Sequence, residues 1–239
     1  MKEFVYGRHV VAEVIQAGKR AISEIWVADA SLQDKDVKAS LSNLSIKPQI
    51  VPRKKLDDLT KGANHQGIVA FVESWAYTPL EKLILQKPKV VVVCDSITDP
   101  HNLGAIARAM RCFNAEGLVL NKDHSCGVTP TVMKSSAGAI ENLTISLVIN
   151  ISRALEDLKQ AGYWVYAASL NATETLPQIK WADYVVIVLG NEGEGIRPLV
   201  LKNSDVLFKI PQKGNFDSLN VSQAASVILY EINYKEGIS

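Results

Sequence analysis

The stretch VLFKIPQKGNFDSLNVSQAASVILYEINY, Val206 to Tyr234, decides how the chain is read. Apolar VLFKI enters a loop that carries Pro211, Gly214, Asn215 and Asp217, and the amphipathic run ASVILYEINY leaves it. Strand, loop and helix therefore meet between Ile210 and Ser222, the kind of junction at which α/β proteins keep their ligands. Upstream the same alternation repeats: VVVVCDS, a helix over 102–113, GLVLN, a helix over 129–140, LTISLV, a helix over 151–161, WVYAAS, YVVIVLG and a helix over 196–203. A helix over 219–234 closes the series. Strands that are apolar throughout and separated by helices predict a parallel sheet covered on both faces.

The first part of the chain is patterned differently. Residues 5–18 carry Val5, His9, Ala12, Val14 and Ile15 near helical spacing and end at Gly18, predicting a first helix with a glycine C-cap. ISEIWVA (22–28) alternates like a strand, 34–44 reads as a polar helix, 49–51 as a strand, 54–59 as a short helix and GIVAFVE (67–73) as a strand. Pro79 and Pro88 flank a short helix, LEKLIL. The expected organisation is an α/β domain at 1–75, a linker at 76–88 and the parallel-sheet domain at 89–239.

With 239 residues, 47% hydrophobic, the chain can build a large core or two modest ones. No apolar run approaches the roughly 20 residues that span a bilayer, and the N-terminus lacks the apolar core of a secretory signal. Three cysteines, Cys94, Cys112 and Cys126, without CxxC spacing point to reduced thiols used for packing and to a cytoplasmic protein. A net charge of +1 does not announce a nucleic-acid binder; Arg53, Lys54 and Lys55 are the most basic spot.

Three loops at strand ends carry candidate chemistry: 95–104, 190–195 and 211–220. GNEGEG (190–195) fits neither phosphate fingerprint. No lysine and hydroxyl follow Gly195, and Pro198 stands where a dinucleotide motif needs its last glycine. Glu192 and Glu194 would repel a polyphosphate and welcome a positively charged ligand; as glutamates capping the next helix they would have no ligand role. In the first loop Asp99-Pro100-His101-Asn102 opens a helix, with Arg108 two turns on. The arginine fork suits a phosphate or hydroxyl oxygen, or else simply pairs with Glu116 on the surface. His101 has no partner at metal-ligand spacing. In the third loop Ser218, Asn220 and Ser222 alternate, but no histidine follows His124, so a hydrolase triad is not supported.

DSITDPHNLGAIARAM (95–110), VIVLGNEGEGI (186–196) and FKIPQKGNFDSLNVSQAASVILYE (208–231) resemble motifs one, two and three of the SpoU branch of the SPOUT class of RNA methyltransferases, in that order. KSSAGAIENLTI (134–145) fits between the first two, and the match covers 88–236. YGRHVVAEVIQ (6–16) and LDDLTKGANHQGIVA (56–70) are similar to the small ribosomal-protein-like substrate-binding domain of the bacterial 23S rRNA guanosine 2′-O-methyltransferase group. The resemblance implies a deep trefoil knot in a C-terminal SPOUT domain, S-adenosyl-L-methionine held inside it, a homodimer through the knotted domain, ribosomal RNA as partner, and neither metal nor membrane. By position it implies cofactor contacts from Gly190, Ile210 and Leu219, with Leu189 and Ser169 as neighbours. Catalytic and RNA-facing roles fall to Asn102, Arg108, Glu192, Ser218 and Asn220. Glycine at 190 would let backbone press against a ligand. An arginine, with a pKa above about 12, is a poor base, so Arg108 is expected to fix a phosphate and stabilise developing alkoxide charge. A tRNA ribose methyltransferase and a non-catalytic RNA-binding or assembly factor are the alternatives, with a nucleotide-dependent enzyme third. Gln212 and Gln223 depart from the motif-three pattern, standing where apolar residues are expected.

Overall fold

In a computed structural model that describes residues 3–41, 46–191, 193–213 and 219–235, the chain divides into two units by its internal contacts. The first comprises Met1–Ala76 with Val128–Asn142, the second Tyr77–Gly127 with Leu143–Ser239. The segment 128–142, which sequence pattern assigns to the alternating C-terminal series, thus has its contacts with the N-terminal part.

In the first unit, β1 (Glu3–Tyr6) leads through Gly7 into α1 (Arg8–Ala17), followed by β2 (Ile22–Ala28), α2 (Lys35–Leu41), β3 (Gln49–Val51), α3 (Arg53–Thr60) and β4 (Ile68–Val72). The sheet runs β1-β4-β2-β3, with β4 antiparallel to both neighbours and β2 parallel to β3. The single helix expected over 5–18 is a strand and a helix. Val5 alternates with Phe4 and Tyr6 along β1, and Gly7, at φ 98°, turns the chain before the helical spacing starts. Gly18 does cap α1, in the left-handed conformation at φ 60°.

In the second unit, α4 (Leu80–Gln86) precedes β5 (Val90–Asp95), α5 (Pro100–Cys112) and β6 (Gly117–Asn121). The chain then leaves for α6 (Pro130–Ser135) in the first unit and returns. After that come β7 (Thr144–Val148), α7 (Ile151–Gln160), β8 (Trp164–Ala168), the two-residue β9 (Glu174–Thr175), β10 (Val185–Gly190), α8 (Pro198–Lys202), β11 (Val206–Lys209) and α9 (Val221–Lys235). The seven-stranded sheet is parallel throughout, in the order β7-β6-β5-β10-β8-β11-β9. Leu83, Ile151, Leu155, Leu158 and Val200 from α4, α7 and α8 pack over Val91, Val93, Val119, Val165, Val186 and Val188 on one face. Each such buried aliphatic side chain contributes about 1.5–3 kcal/mol, which explains why runs like VVVVCD hold their register without alternating polarity. Helices α5 and α9 pack on each other.

The helix expected over 129–140 is short for a local reason. Ser135 and Ser136 donate their hydroxyls back to the Thr131 and Met133 carbonyls at 2.9 and 3.0 Å. Ala137 and Gly138 then adopt φ 54° and 85°, and the Gly138 amide closes on the Met133 carbonyl at 2.9 Å. This left-handed stop sends residues 139–142 against the first unit, where Arg20 and Glu141, both buried, form an ion pair.

Candidate functional site

The parallel strands of the second unit end together, and the cavity lies past their carboxyl ends. β8 delivers Ser169, whose amide donates to the Phe208 carbonyl of β11 at 2.8 Å. β10 delivers Leu189 and Gly190, β11 delivers Lys209 and Ile210, and the entry to α9 delivers Leu219 and Val221. These segments enclose a cavity of about 310 Å³. Ser169, Leu189, Gly190, Ile210 and Leu219, the five positions singled out for cofactor contact, all line it. Gln212 lines it too, and Gln223 is exposed on α9; neither stands at a packed apolar position.

One wall is the turn after β10. The Asn191 side-chain oxygen accepts the Gly193 and Glu194 amides at 2.7 and 3.3 Å, and the Gly195 amide donates to the Asn191 carbonyl at 2.9 Å. The turn folds back so tightly that a Cβ on Gly190 would lie 2.3 Å from the Gly195 carbonyl carbon and 2.4 Å from the Ile196 amide nitrogen. Glycine is required here by the chain's own backbone, a reason different from the ligand approach expected from sequence. Sequence reading also missed the tether beneath this turn. Asp95, fully buried at the end of β5, accepts the Arg197 amide at 3.0 Å and Arg197 Nε at 2.8 Å, joining β5 to the segment after β10. The signal was there, since a carboxylate ending a wholly apolar strand needs a charged or multiply hydrogen-bonded partner.

The polar candidates are only partly assembled. Asp99 caps α5 by accepting the His101 amide at 2.8 Å. Asn220 Nδ2 donates to Asn102 Oδ1 at 3.0 Å, while its own Oδ1 accepts the Ser222 amide at 2.9 Å and the Ser222 hydroxyl at 2.6 Å. Asn220 is thus both the cap of α9 and a bridge to the first turn of α5. Arg108 is exposed on α5 and does not line the cavity. Glu192 and Ser218 lie outside the described residues. Burial drives the Cys94 thiol well above its ordinary range and Cys126 to about 11, so both stay protonated at neutral pH, unsuited to nucleophilic work. Among the described residues no cluster of three or more His, Cys, Asp or Glu could hold a metal, and no helix is long and apolar enough to cross a membrane.

A family model described as the SpoU rRNA Methylase family matches residues 89–230, and one described as RNA 2′-O ribose methyltransferase substrate binding matches residues 4–78. The chain is 38% identical over 244 residues to an uncharacterized tRNA/rRNA methyltransferase of Synechocystis sp., covering 98% of this chain and 63% of that protein. It is 32% identical over 232 residues to the 23S rRNA (guanosine-2′-O-)-methyltransferase RlmB of Neisseria meningitidis serogroup B, covering 95% and 93%. The solved structure of the SpoU methyltransferase AviRb from Streptomyces viridochromogenes, in complex with the cofactor AdoMet, has the same fold, with a TM-score of 0.84 at 21% identity over 98% of this chain and 90% of that one. A parallel sheet with a strand-end cavity, and two family matches spanning nearly the whole length, mean that the chain belongs to the SpoU rRNA methylase family.

Proposed function

We propose that the protein transfers a methyl group from S-adenosyl-L-methionine to the 2′-hydroxyl of a guanosine in 23S rRNA. The observation that carries this is the convergence of Ser169, Leu189, Gly190, Ile210 and Leu219 on one cavity. The cavity suits the cofactor. Its volume is at the lower end of the range for small-molecule sites, about 300–1,000 Å³. Leu189, Ile210, Leu219 and Val221 offer apolar walls, Ser169 and the backbone offer hydrogen bonds, and the exposed Glu194 carboxylate favours a cationic ligand. The bound cofactor would supply an electrophilic methyl group. The chain's own residues would position the ribose, exclude water from the strand ends and meet the charge that develops on the 2′-oxygen. Asn102 and Asn220, already bonded to each other, would align the hydroxyl side of the site. Arg108 would hold the adjacent phosphate and stabilise the developing alkoxide, with Glu192 and Ser218 orienting it or the substrate.

In the same reading residues 1–75 grip the RNA, 76–88 link, and 89–239 form the catalytic domain, closed as a trefoil knot and paired as a homodimer in the cytoplasm. The substrate-binding family match over 4–78 supports the first of these roles. The exposed Val227, Tyr230 and Tyr234 of α9 are apolar surface that a second copy would cover. Guanosine of 23S rRNA is favoured over tRNA by the RlmB relative, which this chain matches along 93% of its length.

The test is methyl transfer from labelled S-adenosyl-L-methionine to 23S rRNA and tRNA transcripts, with mapping of the product nucleotide. Ribose label on a 23S guanosine is expected; label on tRNA alone would move the substrate assignment, and no label on either would sink the reading. Arg108→Ala is expected to slow transfer about thirtyfold, roughly the 2 kcal/mol of a charge-assisted hydrogen bond, with cofactor binding unchanged in calorimetry. Undiminished turnover would remove Arg108 from the site.

A further inference from the structure

Three stretches that the cavity does not use, YGRH (6–9), NHQG (64–67) and KSSAG (134–138), meet at one point in the first unit. Lys134 Nζ donates to Gln66 Oε1 at 2.9 Å, and the Arg8 amide donates to the same oxygen at 3.1 Å. Arg8 Nε reaches the Gln66 carbonyl at 3.4 Å, and Arg8 Nη1 pairs with Asp34 at 2.5 Å. Left-handed backbone at Gln66 and Gly7 shapes this arrangement. Gln66 sits at φ 54° between His65 and Gly67, and His65, buried, accepts the Gly67 amide on Nδ1 at 2.9 Å while Nε2 meets Asp57 at 2.8 Å. Gly7 is at φ 98°, and a Cβ there would lie 2.5 Å from Lys134 Nζ.

The charges do not balance. Asp34 answers Arg8, but among the described residues no carboxylate pairs with Lys134, whose ammonium donates to a neutral amide oxygen. Burial lowers its pKa, with no charged neighbour opposing. A partly desolvated ammonium held against a neutral amide, with Gln66 in the left-handed conformation, is costly for the fold alone, and it is what a backbone phosphate would complete. We propose that Lys134, set by Gln66 and flanked by Arg8, grips a phosphodiester of the RNA. The proposal rests on the RNA-methyltransferase reading and gives that reading a named contact away from the cavity.

The experiment measures binding of a 23S rRNA transcript across a sodium chloride series, for wild type, Lys134→Met, Lys134→Arg and Gln66→Glu, with thermal unfolding of each protein alone. For Lys134→Met the slope of log affinity against log salt is expected to fall by about one, with affinity down about tenfold and the unfolding temperature unchanged or higher. Lys134→Arg is expected to restore the slope, and Gln66→Glu, which hands Nζ a carboxylate, to lower it. An unchanged slope and affinity in Lys134→Met would overturn the proposal. So would a lower unfolding temperature with RNA affinity intact, which marks Lys134 as a structural tie. Wild-type methyl transfer is scored separately, so a failed methyltransferase reading and a failed phosphate contact give different results.

Discussion

Gly190→Ala is expected to weaken S-adenosyl-L-methionine binding about a hundredfold, and turnover with it. The added methyl would sit 2.3–2.5 Å from three backbone atoms of Gly195 and Ile196, and backbone cannot step aside as a side-chain tip can. The clash can be relieved in two directions. The 191–196 turn can move into the cavity it lines, or the end of β10 can tear from β5, to which Gly190 is registered opposite Asp95. The first fills the ligand's space; the second strains the Asp95–Arg197 tether. Overpacking typically costs about 1–3 kcal/mol, and an unyielding backbone puts this site at the upper end, where about 1.4 kcal/mol is tenfold in affinity. Gly193→Ala is the control. It lies in the same turn and lines the same cavity, yet its Cβ would meet only Asn191 Oδ1 at 3.4 Å, an ordinary contact. Calorimetric titration of both variants checks the pair: Gly193→Ala should bind within about threefold of wild type, and equal losses in both would show that the turn's glycines matter for flexibility and not for the close approach at 190.

What could be read in the sequence follows from how local each cause is. VVVVCD and YVVIVLG declare themselves as buried parallel strands because burial on both faces demands apolar residues at every position. The place of the cavity follows from them, since ligand sites in such sheets gather at strand ends, whereas Leu189, Gly190, Ile210 and Leu219 are singled out only by the resemblance to the SpoU motifs. Val5 was misplaced because helical spacing tolerates a four-residue strand at its start, and only the conformation of Gly7 separates the two. Glu174 and Thr175 form an edge strand of two residues, too short for any periodicity. The early stop of α6 depends on two serines bonding back to carbonyls, a choice that composition does not force. Asp95 with Arg197, and Lys134 with Gln66, are pairings across 102 and 68 residues. Asp95 is visible alone as a charge ending an apolar strand, but the mate of each such group is fixed only by the fold.

A third pairing, between Arg20 and Glu141, sets the largest expected loss of stability. Arg20→Ala should destabilise the first unit by about 3–5 kcal/mol, the usual cost of leaving one member of a buried ion pair alone. Arg20 and Glu141 side chains are 6% and 1% exposed, and 121 residues separate them. Arg20 also donates to the Glu73 carbonyl at 3.3 Å and lies 5.2 Å from the Trp75 ring centroid, so it holds the end of β4 and residues 139–142 at once. The pH dependence has a definite sign. Burial raises the Glu141 carboxyl above its ordinary value while Arg20 pulls it back down. A carboxyl whose folded pKa is raised binds its proton more tightly in the native state, so its contribution to stability falls as pH rises from the unfolded to the folded value. Without Arg20 that opposing pull is gone and the window extends upward. Chemical denaturation of Arg20→Ala should therefore show the greatest loss in mildly alkaline buffer and partial recovery in mildly acidic buffer. Glu141→Gln, which strands the arginine instead, should be destabilised without that recovery. The double variant Arg20→Met/Glu141→Leu should regain most of the stability, because an apolar pair of similar volume carries no desolvation penalty. If the double variant is no better than the singles, directional hydrogen bonding to Glu73 and the contact with Trp75 hold the segment, and the ion pair is incidental to it.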